Sequence, residues 1–83
     1  MAKQDYNDER QHNLVQAIPT GNFTELRVVA VSGDSGVEAV DIRSWYCTRK
    51  DPEMKPTTKG VRLSVENADK LRDALLRVLE EVK

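Results

Sequence analysis

At 83 residues, 39% hydrophobic and 33% charged with a formal net charge of −1, the chain has the make-up of one small soluble domain with no room for a second core. A single cysteine, Cys47, and a single histidine, His12, exclude an internal disulfide, a multi-cysteine zinc site and His-rich metal ligation. No apolar run approaches the ~20 residues needed to span a bilayer, so no membrane partner is expected. The first residues carry no apolar signal core, which sets the expectation of a cytoplasmic protein.

Residues 1–13 have no periodicity and almost no apolar content, and read as a disordered lead-in to a domain over 14–83. Leu14 to Ile18 reads as a short strand ended by Pro19, followed by the turn cluster Pro19-Thr20-Gly21-Asn22. Phe23 to Val31 alternates and is rich in β-branched residues, which argues a second strand. Ser32-Gly33-Asp34-Ser35-Gly36 is a hairpin turn with two glycines free to take positive φ. Val37 to Cys47 is a third strand, with Val40, Ile42, Ser44 and Tyr46 on one face and Asp41, Arg43, Trp45 and Cys47 on the other. After the polar turn 48–52, a weaker run from Glu53 is interrupted at Pro56 and resumes as Lys59 to Leu63. Ser64 is an N-cap, and Val65 to Val82 is a helix. Its apolar stripe is Ala68, Leu71, Leu75, Val78 and Val82, widened by Ala74 and Leu79. Glu66–Lys70, Asp73–Arg77 and Arg77–Glu81 are opposite-charge pairs one turn apart. The layout is α+β: an antiparallel sheet followed by one C-terminal helix. One sheet and one helix make a thin core, and the surplus apolar helix surface argues for a homodimer.

The chemistry is that of binding rather than catalysis. No phosphate-cradling glycine loop, CxxC or HExxH occurs, no cofactor is implied, and the chain is short of catalytic groups, so an enzyme is not expected. Cys47 reads as a small buried apolar residue and His12 as a bystander. Between positions 43 and 62 stand six basic residues (Arg43, Arg49, Lys50, Lys55, Lys59 and Arg62) against Asp51 and Glu53. This local excess in a near-neutral chain points to an anion-binding face. Basic residues and aromatics share the sheet: Arg43 with Trp45, Lys59 beside Gly60, Lys55 on the neighbouring run. Unpaired bases expose flat faces on which an aromatic ring stacks, while Arg and Lys follow the phosphates. Gly60 would let the sugar–phosphate chain pass close to the backbone. Of the adjacent Trp45 and Tyr46, at least one must point into the core.

Asp41-Ile42-Arg43-Ser44-Trp45-Tyr46, then Glu53-Met54-Lys55-Pro56, then Lys59-Gly60-Val61-Arg62-Leu63, resembles the positive cofactor four family of transcriptional coactivators, in its short bacterial form. The resemblance spans about residues 14–82. It implies a curved four-stranded antiparallel sheet followed by a helix, an obligate homodimer, and single-stranded DNA held against the sheets with little sequence preference. By position it implies Arg27, Arg43, Lys55 and Lys59 as cationic contacts, Gly60 at the close approach, and Trp45 or Tyr46 as the stacking ring; Arg62, in the same basic stretch, is a further candidate phosphate contact. The hairpin at 33–36 lacks the aromatic and lysines of better-known members, and Thr57-Thr58 replaces a Gly-Arg pair.

The expected function is therefore a homodimeric single-stranded-DNA-binding protein of transcription, extending to replication or repair, with the transcription machinery as a protein partner. RNA is the alternative polynucleotide, because stacking does not discriminate the sugars. The rival reading is a dimeric protein-interaction module that kept the scaffold and lost tight nucleic-acid binding.

Overall fold

The computed structural model describes residues 10–82. The lead-in expected at 1–13 lies largely outside these residues. Four strands, β1 (Gln11–Pro19), β2 (Thr24–Gly33), β3 (Gly36–Tyr46) and β4 (Lys55–Ser64), form one antiparallel sheet in the order β1-β2-β3-β4. Among the described residues one helix, α1 (Val65–Val82), follows directly. The expected strand-then-helix layout is the one observed.

The strand limits differ in informative ways. β1 begins at Gln11 rather than Leu14, because its polar residues pair in register: Gln11 with Ser32, His12 with Val31, Asn13 with Ala30. A ladder satisfies backbone groups whatever side chain they carry, and hydropathy therefore under-calls such an end. The hairpin closes tightly between Gly33 and Gly36, and only Gly36 takes a positive φ, at 109°. β4 runs unbroken through Pro56, which is tolerated because β4 is a sheet edge. The irregularity falls instead just beyond. Arg43 pairs with Gly60 but Trp45 pairs with Pro56, so Thr57-Thr58-Lys59 bulges out of the ladder.

α1 has the limits its periodicity predicts. Ser64 caps it, with Asn67 N–H donating to Ser64 Oγ at 3.2 Å. Glu66 and Lys70 pair at 3.8 Å. The other charges on the helix pair differently from the expected one-turn spacing: Arg72 takes Asp69 at 2.8 Å and Asp73 at 3.3 Å. The helix lies against β3 and β4. An apolar cleft of about 340 Å³ separates Val28, Val40 and Ile42 of the sheet from Leu71, Leu75 and Leu76 of the helix. No residue of α1 is buried. The buried apolar side chains, Val29, Val31 and Ala39, belong to the opposite face of the sheet, which also carries Asp41 and Arg43.

Candidate nucleic-acid interface

Strand alternation places Asp41, Arg43 and Trp45 on one face of β3, and pairing brings Glu25 and Arg27 of β2 and Gly60 and Arg62 of β4 onto the same face. Arg43 is not at the surface. It is 3% exposed, and Asp41 is fully buried. Arg43 Nε donates to Asp41 Oδ2 at 2.7 Å, one terminal nitrogen donates to Oδ1 at 2.8 Å, and the other donates to the Thr57 carbonyl at 2.9 Å. Positions two apart on a strand face stand side by side, so Asp41 supplies a carboxylate shaped for the guanidinium fork. The expected phosphate contact is thus a buried ion pair that also fastens the 57–59 bulge, where Thr57 Oγ1 donates to the Ser44 carbonyl at 2.8 Å.

Two further expectations change with it. A Cβ at Gly60 would lie 2.1 Å from Arg43 Cβ and 2.5 Å from the Ile42 carbonyl oxygen. Gly60 is therefore required for β4 to close on β3: the space a Cβ would take is filled by Arg43 and the Ile42 carbonyl, while the residue stays exposed on its outer side. Arg62, opposite Asp41, is half-buried; its Nε lies 3.5 Å from Asp41 Oδ1, and a terminal nitrogen donates to His12 Nε2 at 3.0 Å. His12 Nδ1 in turn lies 3.1 Å from the Arg10 carbonyl. Because arginine only donates, Nε2 accepts and the ring proton sits on Nδ1, donated to that carbonyl. His12, read as a bystander, is part of this polar interior.

The remaining site residues gather toward the end of the sheet where β2 starts and β3 finishes. Arg27 lies over the Trp45 ring, 4.4 Å from its centroid, and pairs with Glu25. Trp45 is half-buried between Glu25 and Pro56 in the register. Tyr46, the next residue, is 41% exposed and belongs to the other face by alternation, with Lys55 as its cross-strand partner. Lys55 Nζ lies 2.7 Å from Asp51 Oδ2. The hydrogen bond from Lys55, reinforced by the Glu53 N–H and the lysine charge, holds Asp51 below its ordinary pKa; the same hydrogen bond and the Asp51 charge hold Lys55 above its own. Lys59 is exposed on the bulge, and no acid among the described residues pairs with it.

One pair at this end was not anticipated. The Arg49 guanidinium lies 5.8 Å from the centroid of Phe23, which is 40% exposed. Cys47 N–H donates to the Phe23 carbonyl at 2.9 Å, which extends the β2–β3 ladder by one step. The following loop is ordered by Thr48 and Asp51, which exchange hydrogen bonds at 3.0 Å. Phe23 and Arg49 are far apart in sequence, and the basic excess at 43–62 was the only sign of their meeting. Among the described residues, no group of three His, Cys, Asp or Glu side chains is placed to hold a metal.

The sequence model of the family described as transcriptional coactivator p15 (PC4) matches residues 22–74. The match begins at the residue before Phe23, takes in β2, β3 and β4, and ends within α1. No curated protein and no solved structure matches the chain.

Proposed function

We propose that this chain, which belongs to the transcriptional coactivator p15 (PC4) family, is a homodimer that holds unpaired DNA strands at an opened duplex. DNA binding in transcription is the character of the family. The single-stranded form of the ligand is supported by one observation: aromatic rings and guanidinium groups are paired at one end of the sheet, Arg27 on Trp45 at 4.4 Å. Duplex DNA hides its base faces, whereas an unpaired base stacks on a ring or on a guanidinium plane. Arg27 and Trp45 offer the two layered, so a base adds to the stack from outside. Lys59 and Lys55 then follow phosphates along β4, and Tyr46 serves a strand on the opposite face. Arg43, Gly60 and Arg62 act by shaping the sheet.

The homodimer is supported by α1. Leu75, Leu76, Val78, Leu79 and Val82 are 52–78% exposed, a continuous apolar face that a second copy would cover. The apolar cleft beside Leu76 continues this face toward the sheet. Replication or repair and RNA binding remain roles of the same surface, since stacking reads neither sequence nor sugar.

The test is a titration of labelled oligo-dT and of the matching duplex across a salt series, followed by tryptophan emission. Trp45 is the only tryptophan, so quenching reports directly on its ring. Single-strand affinity is expected to exceed duplex affinity throughout and to fall with salt. Equal affinity for both forms at every salt concentration would overturn the reading, and partners retained in a pull-down after nuclease would favour the protein-interaction module.

A further inference from the structure

The stacking surface described above has one ring with one guanidinium. The register supplies a second unit of the same kind. Glu25 pairs with Trp45, and Thr24 pairs with Tyr46. The Cys47–Phe23 hydrogen bond carries the ladder one step further, so Phe23 stands opposite Cys47. Phe23 and Trp45 are then diagonal neighbours on adjacent strands, each two positions from the other's partner. Such diagonal positions lie about 7–8 Å apart, within reach of large rings. Each ring carries its own arginine: Arg27 over Trp45 at 4.4 Å, Arg49 near Phe23 at 5.8 Å.

We infer that Phe23 and Arg49 form a second base-stacking site, so that this end of the sheet takes two successive unpaired bases. The inference rests on the single-strand reading and extends it. Phe23 is 40% exposed, so its ring is available, yet its carbonyl is held by Cys47 and the Arg49 loop by Thr48 and Asp51. A ring on an ordered backbone orders little further on binding, and the contact keeps its stacking energy. Lys50, exposed beside Arg49, adds a cation for the intervening phosphate. Among the described residues no acid pairs with Arg49, in contrast to Arg27 with Glu25 and Lys55 with Asp51. Arg49 can therefore leave the ring for a phosphate without breaking an ion pair.

The experiment is an anisotropy titration of labelled oligo-dT against the full chain and two variants, Phe23→Leu and Arg49→Ala, across a salt series. Leucine keeps apolar bulk at a partly exposed site and removes only the flat face. Phe23→Leu is expected to weaken binding on the order of tenfold at every salt concentration, the loss of one stacked base. Arg49→Ala is expected to weaken binding at low salt and lower the salt slope by about one contact. Far-UV circular dichroism checks that both variants fold, and the exposed Arg49 keeps the test open should Phe23→Leu not. Wild-type affinity and slope in both folded variants, with oligo-dT still bound by the parent chain, would overturn the second site alone. Failure of the parent chain to prefer single strands would instead overturn the reading beneath it.

Discussion

Replacing Arg43 by alanine asks whether this arginine holds the sheet or the ligand. The side chain makes two hydrogen bonds to Asp41, at 2.7 and 2.8 Å, and one to the Thr57 carbonyl at 2.9 Å, all from a position 3% exposed. Truncation leaves the Asp41 carboxylate inside the sheet without its guanidinium fork, with Arg62 at 3.5 Å from Oδ1 as a remaining cation. Breaking a buried pair from one side costs ~3–5 kcal/mol, a large share of the ~5–15 kcal/mol that holds a domain together. With a urea slope near ~1 kcal/mol per M, the lower end expected for so short a chain, the unfolding midpoint should drop by roughly 3–5 M. The assay is urea unfolding followed by far-UV circular dichroism at one fixed protomer concentration, because the proposed dimerisation would link midpoint to concentration. Replacing both partners by apolar residues, Asp41→Leu with Arg43→Met, should recover part of the loss, since no buried carboxylate is then stranded and only the more exposed Arg62 loses its contact. A stable Arg43→Ala protein with an unshifted midpoint and lost oligo-dT binding would refute the argument and return Arg43 to the ligand.

Other perturbations separate the remaining roles. Gly60→Ala forces a methyl to within 2.1 Å of Arg43 Cβ and should destabilise the fold by ~1–3 kcal/mol in the same urea assay, with the 57–59 bulge displaced. Leu79→Glu puts a charge on the apolar helix face, where Leu79 is 56% exposed; sedimentation should show a dimer for the parent chain and a single subunit for the variant. Carbon-detected titration of Asp51 should give a midpoint below its ordinary value near 3.8, moving back up in Lys55→Ala. Its folded pKa is depressed, so whatever the pair contributes is present above the unfolded pKa and lost as pH falls through the folded one. Both groups are open to water, and the effect on overall stability should be too small to detect by melting.

The fold was legible because its signals are local. Alternation over 37–47 put Val40 and Ile42 on the face that meets α1 and Asp41 and Arg43 on the other, and the 3–4 spacing with Ser64 as cap set both ends of the helix. The site was legible only as a neighbourhood. A basic residue read from sequence is assumed to reach water, and nothing in the string Asp41-Ile42-Arg43 says whether the two charges will solvate or join. The answer came from β4: Gly60 lets that strand close, Thr57 turns a carbonyl toward the guanidinium, and the pair is sealed. The Phe23–Arg49 pair was illegible for the complementary reason, since it exists only once the turn before β2 and the loop after β3 share one end of the sheet.

The pattern of acids has a consequence for what drives binding. Arg27 holds Glu25, Arg43 holds Asp41 and Lys55 holds Asp51, so three of the expected cationic contacts carry a carboxylate from their own sheet or adjoining loop. A phosphate approaching Lys55 or Arg27 must displace an anion already in place, and the net Coulombic gain is the difference between two similar contacts. Counterion release then scales with the cations left without an acid, Lys59 and Arg49 foremost, rather than with all seven bases between residues 26 and 65. With charge so nearly balanced, the rings would contribute more than the cations in the proposed complex, at ~1–3 kcal/mol for each base stacked. Phosphates are common to paired and unpaired DNA, whereas exposed base faces belong to unpaired DNA alone. On the proposed reading, a surface that takes its affinity from Trp45 and Phe23 more than from its lysines would be selective for opened strands. Charge would supply the approach and stacking the choice.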